Sequence, residues 1–196
     1  AGQYAENSKS KYLHNPVFKK SGNNFVYLPL KIEPGKDLKN FINNFKNYHF
    51  SGLAVTIPHK ENIIQYMDEL DKTAEEIGAV NTVVNRNGQL SGYNTDFVGA
   101  INALKNKISL KDKSCLVIGA GGAARAVVYG LVNEGVEVTI TNRTRKKAEK
   151  LAGEFGCEVA EFTERNKFSK KFGIIINTTS VGMYPNDDAT VLEEFT

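Results

Sequence analysis

The stretch that decides the fold is Cys115-Leu116-Val117-Ile118-Gly119-Ala120-Gly121-Gly122-Ala123-Ala124-Arg125-Ala126. Its four apolar residues, partly β-branched, predict a buried strand. Gly119, Gly121 and Gly122 follow at once, and a run of helical character comes next. Strand, glycine turn and helix, in that order, form the context that a dinucleotide-binding loop requires. Glycine gives the turn access to positive φ and leaves room for a pyrophosphate to approach the backbone. The helix start offers unbonded N–H groups and the positive end of its dipole to phosphate. The third glycine of the G-x-G-x-x-G pattern is Ala124, which the pattern allows. Tight βα turns without ligands use glycine too, so the motif alone indicates no more than a phosphate-bearing ligand.

Downstream, Ala126 to Asn133 continues the helix, with Gly135 as its stop. Val136 to Thr141 alternates like a strand. Thr144 is placed to cap a helix through Phe155, with Gly156 beyond it. Glu158 to Glu161 reads as a short strand and Phe172 to Asn177 as a buried one. Alternating strands and helices predict a parallel sheet. The strand after the loop helix selects the nucleotide. NAD binders place Asp or Glu at its end to hold the ribose 2′-hydroxyl. Here Thr141 is followed by Asn142-Arg143-Thr144-Arg145, with no carboxylate. Arg143 and Arg145 attract a 2′-phosphate, which a guanidinium binds through two oxygens. A charge-assisted contact of that kind is worth about 1.5–3 kcal/mol, so NADP is favoured over NAD by roughly tenfold to a hundredfold.

Upstream, Ser8 to Lys20 predicts a helix with Ser8 or Ser10 as its cap, Leu13 and Phe18 facing inward, and Pro16 inside it. Asn24 to Leu30 reads as a strand. Leu38, Phe41, Ile42 and Phe45 recur at helical spacing. Gly52 to Ile57 predicts a strand stopped by Pro58. Ile63, Ile64, Met67 and Leu70 predict another helix, and Thr73 to Ile77 a short one closed by Gly78. Val80 to Asn85 and Gln89 to Tyr93 flank Arg86-Asn87-Gly88, and Asn-Gly is a strong hairpin signal because both residues tolerate positive φ. With Asn87 and Gly88 as the loop, Asn81 lies opposite Asn94 at the open end, and Asp96 is just beyond. A helix from Asp96 to Lys107 then leaves this region.

The bulk numbers fit one or two globular domains: 196 residues, 41% hydrophobic, 24% charged and a net charge of +3. With no long block of like charge, neither a nucleic-acid nor a membrane partner is implied, and no apolar run is long enough to span a bilayer. Cys115 and Cys157 sit in strand-like apolar settings and read as buried, reduced thiols of a cytoplasmic protein. His14, His49 and His59 are scattered and the two cysteines distant, so no metal is expected. The chain opens at Ala1 rather than Met, so the natural N-terminus, and any targeting segment, is expected to be trimmed.

Thr56 and Lys60 in Val55-Thr56-Ile57-Pro58-His59-Lys60 stand at a strand's end, where side chains emerge into a crevice. Hydride removal from a carbinol needs a group that takes the hydroxyl proton, and the reverse reaction needs one that returns it. A partly buried lysine positioned by a carboxylate does both, and Asp96 is a candidate for that carboxylate.

In chain order the motifs are Ser8-Lys9-Ser10 with His14-Asn15, Val55 to Lys60, Gly78-Ala79-Val80-Asn81-Thr82, Gly92-Tyr93-Asn94-Thr95-Asp96, Gly119 to Ala123, Asn142-Arg143-Thr144, and Asn177-Thr178-Thr179-Ser180-Val181-Gly182-Met183. Together they resemble the shikimate dehydrogenase family over essentially the whole chain, with Ser-Lys-Ser worded as in the dehydrogenase half of plant-type bifunctional dehydroquinate dehydratase/shikimate dehydrogenases. The resemblance implies a two-domain α/β fold: an N-terminal α/β substrate-binding domain, residues 1–101, and a Rossmann-like NADP-binding domain, residues 102–196, with the substrate in the cleft between them. It implies NADPH-dependent reduction of 3-dehydroshikimate to shikimate in aromatic amino acid biosynthesis, by a monomer or homodimer. It makes Lys60 and Asp96 the catalytic pair. Ser8 and Ser10 would bind the substrate carboxylate, and Thr56, Asn81 and Asp96 its ring hydroxyls. Gly119, Ala120, Gly121, Gly122 and Ala123 would carry the pyrophosphate. Asn142, Arg143 and Thr144 would meet the 2′-phosphate, and Thr178, Thr179, Ser180 and Met183 the nicotinamide side.

Asn7 and Lys11 replace the family's usual His and Pro around the two serines, which predicts a looser turn, and Ala54 stands where Asn is common. The family also has an earlier first strand and several tens of further residues carrying a Tyr and a Gln of the site. The chain is therefore expected to be a piece of a longer polypeptide. Three rivals share the architecture: a quinate/shikimate dehydrogenase, a non-catalytic NADP-binding module and a methylene-tetrahydrofolate dehydrogenase. The last would need a Tyr-x-x-x-Lys arrangement that Thr56 to Lys60 does not supply.

Overall fold

Cys115 through Ile118 lose all their accessible surface in β5 (Ser114–Ile118). The strand lies inside a sheet, between β6 (Glu137–Thr141) and β8 (Ile174–Asn177), with β7 (Glu158–Ala160) outside β6. All three pairings are parallel, which is why the central strand is apolar on both faces rather than alternating. In this computed structural model the described residues are 1–2, 5–33, 35–48, 50–184 and 186–193, with Lys36 and Phe168 described by backbone alone. The chain forms two compact units, Ala1–Asn94 and Thr95–Thr196.

In the second unit, helices α4 (Asp96–Lys105), α5 (Gly122–Asn133) and α6 (Arg145–Phe155) supply Ile101, Val128, Leu131 and Leu151 to a core with Val117 and Ile140 of the sheet. Leu116 and Ile118 meet Val191 and Leu192 in a second cluster. Gly130 lets α4 approach α5, since a Cβ there would stand 2.5 Å from Ile101 Cγ1. Thr144 is the N-cap residue of α6, but its side chain makes no capping bond. Instead Asn142 Nδ2 donates to the Thr144 carbonyl at 2.9 Å and shapes the turn. A short helix, α7 (Arg165–Ser169), has no counterpart in the sequence reading. It is fixed from outside, by Arg165 Nε donating to Val191 O at 2.6 Å.

In the first unit, α1 (Ser10–Lys20) and α2 (Lys36–Asn47) precede β1 (Gly52–Ala54), β2 (Glu69–Leu70), α3 (Lys72–Ile77), β3 (Thr82–Arg86) and β4 (Gln89–Tyr93). The sheet order is β1-β3-β4-β2, antiparallel except for the β4–β2 pair. Leu38, Ile42 and Phe45 of α2 are buried against Leu53, Val83 and Leu90, as their helical spacing predicts. The hairpin register is the one expected from the Asn87-Gly88 loop, with Thr82 opposite Tyr93 and Arg86 opposite Gln89. Both loop residues have positive φ, 56° and 90°.

Three expectations fail here. Asn24 to Leu30 is not a strand. The carboxamide of Asn15 occupies both the N–H and the carbonyl of Tyr27, at 2.6 and 3.1 Å, where a neighbouring strand would bond. Phe25, Val26 and Leu28 stay more than half exposed, and only Leu30 and Ile32 pair, with Gly2. Leu13 is 70% exposed rather than inward-facing, since α1 buries none of its residues, and the helix begins after Lys9 with no side-chain cap. The helix predicted through Ile63 and Leu70 is a turn of 3-10 helix, Ile64–Tyr66, followed by β2. Hydrogen bonding explains this. Asp68 N–H donates to Leu90 O at 2.9 Å, its carboxylate accepts from Leu90 N–H at 2.8 Å, and so residues 68–70 are drawn into the sheet.

The bond from Leu90 N–H, and then the Lys46 ammonium at 2.9 Å, hold the Asp68 carboxyl below its ordinary range. A carboxyl whose pKa is depressed by folding stabilises the fold above its unfolded pKa, and the contribution is lost as pH falls through the folded one. Asp68→Ala should therefore cost about 1–2 kcal/mol at neutral pH, discounted for the exposure of the pair. In urea unfolding the gap between variant and parent should close below the ordinary carboxylate pKa. A gap of the same size at acid and neutral pH would mean that the charge is not its source.

Candidate functional site

Backbone pairing gathers part of the first unit's site. Val55 N–H, just past β1, donates to Asn81 O at 2.7 Å, and Asn81 N–H donates to Tyr93 O at 3.0 Å. Val80 N–H donates to Lys60 O at 2.8 Å. The chain carrying Thr56 and Lys60 is thus tied to the open end of the hairpin, where Asn81 lies. Thr56 is exposed, and Lys60 and Asn81 are half-buried. Asn81 Oδ1 accepts from Thr82 Oγ1 at 2.9 Å, which orients the amide. His59, between Thr56 and Lys60, is only 1% exposed, and its Nε2 meets Ile32 O at 2.7 Å. A carbonyl oxygen only accepts, so Nε2 carries the hydrogen and anchors the turn.

Ser8 and Ser10 stand beside each other. Their hydroxyl oxygens are 3.0 Å apart, and Ser10 N–H donates to Ser8 Oγ at 3.2 Å. This local turn keeps the two hydroxyls together with Asn7 and Lys11 in the places of the family's His and Pro. Asp96 is the first residue of α4 and half-buried, in the second unit, whereas Lys60 is in the first.

The second unit's part of the site lies at the carboxyl ends of β5 and β8, where the strand order reverses, which is where ligands bind open α/β sheets. Gly119 has φ +118°, and a Cβ there would stand 2.4 Å from Thr178 Oγ1. Thr178 donates to Ile118 O through both its N–H, at 2.9 Å, and its hydroxyl, at 2.8 Å. Gly119 N–H donates to Thr141 O at 2.8 Å and sets the start of Asn142-Arg143-Thr144. Helix α5 begins after Gly121, which has no side chain to cap it, so the first-turn N–H groups keep their capacity for an anion. The loop after β8 is held by Asn177, whose Oδ1 accepts from Thr179 N–H at 2.9 Å and Thr179 Oγ1 at 2.7 Å. Ser180 and Met183 follow, both exposed. These residues fit a dinucleotide: the glycine cradle excludes a Cβ, and the helix start accepts a pyrophosphate.

The two arginines after β6 part company. Arg145 is engaged by Glu149 and Glu161. Arg143 is exposed and forms no ion pair among the described residues. Of the two arginines expected at a 2′-phosphate, Arg143 is thus the one without an ion-pair partner among the described residues. Burial pushes the Cys115 thiol up to about 12 and the half-buried Cys157 thiol up to about 11, so neither is a thiolate nucleophile at neutral pH. Among the described residues no cluster of His, Cys, Asp and Glu could hold a metal ion, and His49 lies outside them. No helix among those residues is long and apolar enough to cross a membrane.

Sequence reading gave no role to Arg125, whose side chain pairs with Glu154 and lies 5.8 Å from the Phe155 ring centre, clamping α5 to α6. It also passed over Asn94, which is buried. Its position opposite Asn81 was the available signal.

Gly119→Ala should cost about 2–4 kcal/mol, from a left-handed φ and an overpacked turn together. It should also displace Thr178 and weaken NADP binding, measured by calorimetry beside thermal unfolding. Unchanged stability and affinity would show that the turn has room after all.

Residues 1–83 match the family model described as the shikimate dehydrogenase substrate binding domain, and residues 102–186 match shikimate / quinate 5-dehydrogenase. A curated relative from Aquifex aeolicus (strain VF5), shikimate dehydrogenase (NADP(+)), is 46% identical over 93% of this chain and 67% of its own length. The crystal structure of shikimate dehydrogenase from Aquifex aeolicus superposes with a TM-score of 0.90 at 44% identity, over 98% of this chain and 71% of that one. The Thermus thermophilus shikimate 5-dehydrogenase in complex with NADP(H) and shikimate gives a TM-score of 0.82 at 33% identity, covering 97% and 70%.

Proposed function

The chain belongs to the shikimate dehydrogenase family, and we propose that it reduces 3-dehydroshikimate to shikimate with NADPH, a step of aromatic amino acid biosynthesis. The observation that carries this reading is the backbone ladder that brings Thr56, Lys60 and Asn81 to one end of the hairpin. Bound NADPH supplies the hydride. As the carbonyl carbon is reduced, its oxygen gains negative charge and needs a proton. Lys60 donates it from Nζ, and in the oxidation of shikimate Nζ takes the hydroxyl proton back. Thr56 and Asn81 hold ring hydroxyls, and Asp96 is the carboxylate member of the catalytic pair. Ser8 and Ser10 bind the carboxylate through paired hydroxyls. Gly119 to Ala123 hold the pyrophosphate, Asn142 to Thr144 the 2′-phosphate, and Thr178, Thr179, Ser180 and Met183 the nicotinamide side. On this reading residues 1–101 serve the substrate and 102–196 the cofactor, in a cytoplasmic monomer or homodimer.

Shikimate-dependent reduction of NADP, followed by nicotinamide absorbance with NAD as comparison, tests the reading. Quinate belongs in the same assay, because the description matched by residues 102–186 names it too. NADP binding without turnover of either acid would instead favour a non-catalytic module.

A further inference from the structure

Asn94 is 4% exposed and lies one residue past β4, opposite Asn81 in the continuation of the hairpin register. Its Nδ2 donates to Ala79 O at 2.8 Å. A buried amide is held where its partner is, because leaving it unbonded costs its full desolvation. The strip it grips is crowded with other ties. Val80 N–H reaches Lys60 O at 2.8 Å, Asn81 O takes Val55 N–H at 2.7 Å, and Asn81 N–H meets Tyr93 O at 3.0 Å. Three consecutive residues, Ala79 to Asn81, are thus bonded to Asn94, to the Lys60 backbone, to the residue just past β1, and to the end of β4, from which Asp96 follows three residues later.

We propose that Asn94 is a positioning residue for the reaction, its buried carboxamide coupling the strand end that leads to Asp96 to the strip that holds Asn81 and Lys60. The proposal rests on the shikimate dehydrogenase reading. Asn94 touches no reacting atom. It acts by fixing the peptide planes on which Asn81 and Lys60 stand, and a small displacement of such groups is costly in rate.

Two substitutions in the full chain test it. Asn94→Asp keeps the shape but replaces the donor by an acceptor, and Asn94→Ala removes both. Each should lower kcat for shikimate oxidation by about tenfold to a hundredfold while leaving the Kd for NADP unchanged. The side chain in Asn94→Asp donates to Ala79 O only when protonated. Its deficit relative to the parent should therefore shrink as pH is lowered, and that of Asn94→Ala should not. Parent-like kcat in both variants overturns the proposal. So does a loss that follows the unfolded fraction in thermal melts with no change in pH profile. Should neither variant fold, the parent decides by NMR: the Asn94 side-chain amide signals shift on adding shikimate and not on adding NADP, and unmoved signals overturn the proposal. A parent chain inactive with shikimate fails the functional reading first and takes this proposal with it.

Discussion

Lys60→Ala should lower kcat for shikimate-dependent NADP reduction by about 10²–10⁴, the range expected for a lost acid–base group. The substitution is clean because the backbone of residue 60 is held by Val80 N–H, a bond that alanine keeps. Thermal unfolding should barely move. The KM for NADP should not move, since the cofactor residues lie in the other unit. Lys60→Arg should fail to restore the rate, because a guanidinium stays protonated and cannot take the hydroxyl proton. Activity that survives in Lys60→Ala would make the lysine a structural residue.

Arg143→Ala should raise the KM for NADP by roughly tenfold to a hundredfold and leave that for NAD unchanged, the equivalent of one charge-assisted phosphate contact. The Arg145 guanidinium, by contrast, already serves Glu149 and Glu161. Arg145→Ala should accordingly loosen the start of α6 and alter NADP preference far less. Added salt should weaken the Arg143 effect, because the contact is exposed and screened. Equal losses with both cofactors would sink the 2′-phosphate assignment.

Legibility in the sequence follows how local each determinant is. The Asn87-Gly88 hairpin was readable to the residue because the turn type fixes the register. The parallel sheet was readable because the apolar run Cys115 to Ile118 ends at Gly119 and helical segments alternate with the strands that follow. The failures lie where a distant side chain decides. Asn15 occupies the backbone of Tyr27 in the middle of the expected strand, and Asp68 pulls its own segment out of a helix and onto Leu90. In the site, motif order singled out Lys60, Asn81 and the glycine loop. The pairing that distinguishes Arg145 from Arg143 was hidden, since it involves Glu161, sixteen residues from Arg145 in sequence and adjacent to it in space.

The place of β5 in its sheet has a consequence for synthesis. The first unit's pairings are complete in sequence once β4 has emerged, but Ile118 must await Asn177, about sixty residues later. At about 5–20 residues per second, the ribosome leaves one edge of this apolar strand open for roughly 3–12 s. The nascent chain is therefore most vulnerable to aggregation while residues 119–177 are being made. A chaperone that shields strands should be needed during that interval and dispensable once β8 is in place.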